Sequence, residues 1–93
     1  MAKLLLITAD ELLAKAYRAR LMREGFEVVH CASGQEGLVR AHQWSPDCIL
    51  LDLMLPGRHG LDVLKSLRDV PWVLKAHVVL LIDHTLTPEV LDE

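Results

Sequence analysis

The sequence lacks any long apolar run. Its longest runs, at 4–7, 48–51 and 78–82, fall far short of the roughly 20 apolar residues that cross a bilayer as a helix. The start Met-Ala-Lys also lacks the apolar region of a signal peptide. These absences predict a cytoplasmic protein with no membrane partner.

Clusters of basic residues and metal-binding cysteine patterns are missing as well. The ten Lys and Arg residues are scattered and the net charge is −3, so the chain is not expected to bind nucleic acid directly. Its two cysteines, Cys31 and Cys48, fit neither a Cys-x-x-Cys pattern nor a metal-ligand spacing with the five histidines. We expect reduced, half-buried thiols.

What the sequence does contain is enough apolar material for one packed core. Of its 93 residues, 52% are hydrophobic and 25% are charged, which is too apolar for a disordered chain. Residues 1–93 are therefore expected to form a single domain, near the lower size limit for independent folding.

Apolar runs alternate with segments of helical periodicity along the chain. Asp10 and Gly25 are placed to begin and end the first helix, and Ser33-Gly34-Gln35-Glu36 has the form of a capping box. Side chains of the first helix that recur at helical spacing are Leu12, Leu13, Ala16, Tyr17, Leu21 and Met22. The expected order is a strand at 4–7, a helix at 11–24, a strand at 26–31, a helix at 34–44, a strand at 48–51, a helix at 61–68, a strand at 78–82 and a helix that begins near Pro88.

This alternation predicts an α/β fold with a doubly wound parallel sheet, because right-handed strand–helix–strand crossovers cover both faces of such a sheet. Ligands and chemistry then gather beyond the carboxyl ends of the strands. The residues expected at that edge are Thr8, Ala9 and Asp10 after the first strand, Asp52 after the third and Asp83 after the fourth.

The stretch Pro46-Asp-Cys-Ile-Leu-Leu-Asp-Leu-Met-Leu-Pro-Gly-Arg-His-Gly60 resembles the receiver domains of two-component response regulators. Similar blocks, Lys3-Leu-Leu-Leu-Ile, Glu24-Gly-Phe-Glu-Val and Ser33-Gly-Gln-Glu-Gly-Leu, extend the resemblance over nearly the whole chain. The resemblance implies a flavodoxin-like fold and a signalling role rather than an enzymatic one. It also implies that Asp52 is the phosphoacceptor, with a histidine kinase as phosphodonor.

The resemblance implies Mg²⁺ beside the acceptor, held by an acidic pair after the first strand, by the acceptor itself and by the backbone carbonyl of Met54. In this chain the acidic pair falls at Thr8 and Ala9, so Asp52 is the one expected side-chain metal ligand and Mg²⁺ binding is expected to be weak. The phosphate-binding hydroxyl at the end of the fourth strand falls at Ile82. Asp83 follows it and would oppose a phosphate by like charge.

The resemblance further implies a fifth strand, with a lysine at its end, and a last helix. These 93 residues do not reach either element, so the chain is expected to form an incomplete receiver-like domain. An exposed fourth strand then predicts self-association, by strand pairing or by exchange of elements, unless the natural chain continues past Glu93.

Two other functions fit parts of the sequence. The degenerate site favours a pseudo-receiver, a protein-interaction or dimerisation module that works without phosphate. A phosphatase of the haloacid-dehalogenase type also uses a strand-end aspartate, but it needs an acid where this chain has Met54. Thr8 could hold a metal-bound water or serve the backbone, and Asp83 could bind metal or be a loop or cap acid. His59 and His84 are expected to be loop residues rather than ligands.

Overall fold

Four strands and three helices alternate in the computed structural model, which describes residues 1–55, 60–69 and 77–81. The boundaries lie within one residue of the predicted ones wherever the structure describes them. The elements are β1 (Lys3–Ile7), α1 (Glu11–Arg23), β2 (Glu27–Cys31), α2 (Gly34–Trp44), β3 (Cys48–Asp52), α3 (Gly60–Arg68) and β4 (His77–Leu81). The expected helix near Pro88 and residues Ile82, Asp83, His84 and His59 lie outside the described residues.

The strands form one parallel sheet in the order β2-β1-β3-β4. β1 and β3 lie in the middle, where Ile7 pairs with both Cys31 and Leu51. The order reverses between β1 and β3, which is the arrangement of a doubly wound sheet and confirms the predicted fold class.

Two hydrophobic clusters cover the two faces of the sheet, because successive strand residues point to opposite sides. Leu5 and Ile7 belong to the cluster beneath α2 and α3, whereas Leu4 and Leu6 belong to the cluster beneath α1. Each central strand is therefore buried on both faces, which explains its unbroken apolar sequence.

The ends of α1 follow from local side-chain and backbone chemistry. Asp10 is the N-cap, and its carboxylate accepts a hydrogen bond from the Leu13 N–H at 3.0 Å. At the other end the Phe26 N–H donates to the Leu21 carbonyl and the Gly25 N–H donates to the Met22 carbonyl, which together form a Schellman motif. Gly25 takes φ = 96°, a conformation that glycine adopts without a Cβ clash.

The buried face of α1 is narrower than its apolar sequence suggests. Ala14 is buried, and Tyr17 and Leu21 pack against the cluster beneath this helix. Leu12 and Met22, which recur at helical spacing in the sequence, are 82% and 55% exposed. Both side chains lie outside the arc of α1 that faces the sheet, so helical spacing alone does not place an apolar side chain in the core.

A set of contacts around Lys3 ties the beginning of β1 to the segment before β3. The Lys3 N–H donates to Asp47 Oδ2 at 2.8 Å, and the Asp47 N–H donates back to the Lys3 carbonyl at 2.9 Å. Lys3 Nζ donates to the Trp44 carbonyl at 3.1 Å and lies 5.6 Å from the Trp44 ring centroid. We call these contacts the Lys3 clasp.

Candidate functional site

Asp52 ends β3 at the carboxyl edge of the sheet and is only 1% exposed. Its Oδ1 atom accepts a hydrogen bond from the Met54 N–H at 2.8 Å, across the first turn of the following loop. The predicted acceptor therefore lies at the expected edge, with one carboxylate oxygen fixed by the backbone.

Thr8 fixes the second oxygen of the same carboxylate. The Thr8 hydroxyl donates to Asp52 Oδ2 at 2.7 Å, and Thr8 is fully buried at 0% exposure. The strand register accounts for this contact: Ile7 pairs with Leu51, so the next residues along β1 and β3 lie side by side with their side chains on one face. A hydrogen bond from a hydroxyl to a carboxylate is of the charge-assisted, stronger kind.

Every polar group of Thr8 is hydrogen-bonded. Its N–H donates to the Cys31 carbonyl at 3.1 Å, and its hydroxyl oxygen accepts from the Asp10 N–H at 3.2 Å. Its carbonyl lies 2.8 Å from His30 Nε2, and because a carbonyl can only accept, this nitrogen carries the proton. Thr8 thus joins β1, β2 and β3 and is held in one orientation.

Sequence reasoning missed two features of this site. The Thr8 hydroxyl serves the backbone, as predicted, by accepting from the Asp10 N–H. The sequence did not predict its donation to Asp52 or the contact of His30 with the Thr8 carbonyl. The signal for Thr8 was present, since adjacency of the first and third strands in a doubly wound sheet places their last residues side by side.

Gly60, the first residue of α3, lies close to the end of β3. The Gly60 N–H donates to the Leu53 carbonyl at 3.2 Å. A Cβ atom on Gly60 would lie 2.8 Å from the Asp52 carbonyl oxygen and would collide with the backbone of Leu53. Glycine therefore allows α3 to begin directly against the residue that precedes Met54.

Asp10 and Ala9 complete the edge beside Thr8. The Asp10 carboxylate caps α1, as predicted, and Ala9 is half-buried. Asp10 therefore begins a helix, and its carboxylate orientation is accounted for by that cap.

Among the described residues, the donor set around Asp52 does not fit a resident Mg²⁺ ion. Mg²⁺ needs near-octahedral oxygen ligands, and it keeps several water molecules when one or two carboxylates bind it. Both oxygens of the buried Asp52 already accept hydrogen bonds, and no cluster of three His, Cys, Asp or Glu side chains that could hold a metal occurs in 1–55, 60–69 and 77–81.

None of the helices in these described ranges is long and apolar enough to cross a membrane.

Comparison with known proteins agrees with this architecture. A family model described as "Response regulator receiver domain" matches residues 4–90. The transcriptional regulatory protein AfsQ1 of Streptomyces coelicolor is 41% identical over 68 residues, which cover 73% of this chain and 30% of that protein. The alkaline phosphatase synthesis transcriptional regulatory protein PhoP of Bacillus subtilis is 36% identical over 66 residues, 71% of this chain and 28% of that protein. The chain thus spans less than a third of the length of these curated relatives.

Solved structures show the same fold. The chemotaxis response regulator CheY4 of Vibrio cholerae superposes with a TM-score of 0.86 at 27% identity, over 96% of this chain and 73% of that chain. The N-terminal domain of a response regulator receiver protein from Methanoculleus marisnigri gives 0.84 at 25% identity, over 99% and 75% of the two chains. These likenesses confirm the flavodoxin-like prediction, and with the family model spanning nearly the whole sequence they show that this chain belongs to the response regulator receiver domain family.

Proposed function

We propose that this receiver domain takes part in phosphorelay signalling by accepting a phosphoryl group on Asp52 from a phosphohistidine of a histidine kinase. An oxygen of the Asp52 carboxylate forms the new bond to phosphorus, the phosphorus–nitrogen bond of the donor breaks, and the imidazole nitrogen keeps the electron pair. The observation that supports this role is the orientation of Asp52. Both its oxygens are held by hydrogen bonds at the carboxyl end of β3, from Met54 and from Thr8.

A fixed carboxylate favours transfer because much of the barrier to phosphoryl transfer is positioning. A carboxylate oxygen has two lone pairs, so accepting a hydrogen bond does not by itself prevent that oxygen from attacking phosphorus. We assign no step to Mg²⁺, since the described donor set does not fit it.

The proposal is tested by incubating the chain with acetyl phosphate and following its intact mass, with and without MgCl₂. We expect the mass of one phosphate to be added to the wild type and to be absent from Asp52→Asn. Asp47→Asn is the matched control, because it neutralises an acid just before the opposite end of β3 while keeping an oxygen that can accept from Lys3. An adduct that persists in Asp52→Asn would assign the phosphate to another residue.

A pseudo-receiver is the second candidate, and the burial of the Asp52 side chain, which is 1% exposed, favours it. A carboxylate that is buried and paired in this way can serve as a structural acceptor of hydrogen bonds without reacting. The same experiment separates the two functions: if no adduct forms on a folded wild-type chain under either condition, the pseudo-receiver is supported and the phosphoacceptor role is contradicted.

The histidine kinase partner, the absence of direct nucleic-acid binding, the absence of enzymatic activity and the cytoplasmic location stay predictions. One relative that is 38% identical over 66 residues is named a DNA-binding response regulator, MtrA of Mycolicibacterium smegmatis, and this chain covers 29% of it. We propose that the output of the present chain passes through another protein, since its ten Lys and Arg residues are scattered along the sequence.

A further inference from the structure

We propose that Thr8 is a positioning residue for Asp52: its hydroxyl occupies Oδ2 where a divalent cation would otherwise bind, so that hydrogen bonds rather than Mg²⁺ orient the carboxylate.

The first argument is the saturation of the Thr8 hydroxyl. It donates to Asp52 Oδ2 at 2.7 Å and accepts from the Asp10 N–H at 3.2 Å, while the backbone of Thr8 is bonded to Cys31 and His30. Rotation of the side chain away from Asp52 would break two of these contacts inside a buried site. Because unpaired polar groups are costly when buried, the arrangement favours one side-chain orientation.

The second argument is the chemistry of a cation at this place. A cation that bound Asp52 Oδ2 would have to displace the Thr8 proton and bring its own water ligands into a site where Thr8 and Asp52 are 0% and 1% exposed. A hydroxyl is a much weaker partner for Mg²⁺ than a carboxylate. Thr8 therefore supplies a positive partial charge at Asp52 Oδ2, the position where a cation would otherwise bind.

The metal part of the proposal is tested with Mg²⁺ alone, by following the backbone amide NMR signals of residues 8, 52 and 54. We expect no saturable shift in the wild type and a saturable shift in Thr8→Asp, because two adjacent carboxylates attract a cation. Thr8→Asp combined with Asp52→Asn should lose the shift again. Saturable Mg²⁺ shifts of the wild-type signals would overturn the proposal, and this titration decides the metal part even where Thr8→Asp does not fold.

The positioning part is tested with two conservative variants and rests on the proposed phosphoacceptor function. Thr8→Ser keeps the hydroxyl, and Thr8→Val keeps the shape without it. We expect acetyl phosphate to label Thr8→Ser at close to the wild-type rate and Thr8→Val roughly tenfold or more slowly, because the carboxylate loses the hydrogen bond that orients Oδ2. Equal labelling of folded Thr8→Val and wild type would overturn the positioning role.

Failure of the proposed phosphoacceptor function can be distinguished from failure of the proposed Thr8 role. If the wild type takes no phosphate, the proposed function fails, while the Mg²⁺ titration and the Asp52 side-chain carboxyl NMR signal still test the Thr8 contact. That carboxyl signal should move in Thr8→Val and stay near its wild-type position in Thr8→Ser; an unmoved signal in Thr8→Val would contradict the contact itself.

Discussion

The two thiols show how position within the sheet decides side-chain chemistry. Cys31 ends β2 and is 6% exposed, while Cys48 begins β3 and is partly buried, so they lie at opposite ends of the sheet as predicted. Burial raises the pKa of the Cys31 thiol; the Glu36 carboxylate raises it further and Arg40 opposes the rise. Burial and the Asp47 carboxylate raise the pKa of Cys48. Both residues are therefore held as neutral thiols and are poor nucleophiles.

The thiols make stability depend on pH at the alkaline end. Because folding raises the pKa of both thiols, they ionise first in the unfolded chain, at about pH 8.5. The contribution of the neutral thiols to the free energy of unfolding is therefore complete below that pH and is lost as pH rises towards the folded pKa values. We expect the free energy of unfolding to fall above about pH 8.5, and to fall less in Cys31→Ala. Urea unfolding at a series of pH values measures this, and an unchanged slope in Cys31→Ala would contradict it.

At the scale of single elements, the sequence predicted where α1 and α2 begin, because helix capping depends on residues only three positions apart. Asp10 and Ser33 cap their helices through the Leu13 and Glu36 N–H groups, each three residues along, as the sequence indicated. The features that the sequence did not predict depend on contacts between segments that are far apart in the chain. The Thr8 to Asp52 bond joins residues 44 apart, and the exposure of Leu12 depends on how α1 lies on the sheet. Neither follows from periodicity alone.

The cap of α1 gives a prediction of its own. Asp10→Ala removes the acceptor of the Leu13 N–H and should lower the free energy of unfolding by about 1 kcal/mol. Asp10→Asn is the matched control, because asparagine caps helices nearly as well and should cost only a few tenths of a kcal/mol. Denaturant titration distinguishes the two variants; equal losses in both would show that charge rather than capping matters here.

For the molecule as a whole, stability is expected to reside in the sheet between its two hydrophobic clusters. Leu5 is fully buried at the centre of β1, so Leu5→Ala should lower the free energy of unfolding by roughly 2–5 kcal/mol. Leu12→Ala makes the same chemical change on the exposed side of α1 and should stay within about 0.5 kcal/mol of the wild type. Urea unfolding of both variants measures the contrast, and a large loss in Leu12→Ala would mean that another molecule or segment covers that side chain.

Self-association is a prediction about the same sheet. Among the described strands β4 pairs with β3 alone, on one side, and a strand at the edge of a sheet offers backbone groups to a second chain. Sedimentation velocity over a wide range of concentrations should therefore show a monomer–dimer equilibrium. A single monomeric species at every concentration would contradict this prediction.

The Lys3 clasp has a practical consequence for anyone who tags or labels the amino end. Strand pairing already begins at Ala2, whose carbonyl accepts from the Glu27 N–H at 2.8 Å, and Lys3 is bonded to Trp44 and Asp47 immediately afterwards. A rigid fusion joined at the first residue would begin close to the connection between α2 and β3, so a flexible spacer is the safer design for an affinity handle there. The same closeness makes a fluorophore attached before Ala2 a suitable quenching partner for the Trp44 indole. A change in the fluorescence would report the opening of this end of the sheet, and the label would lie far from Asp52 at the other end.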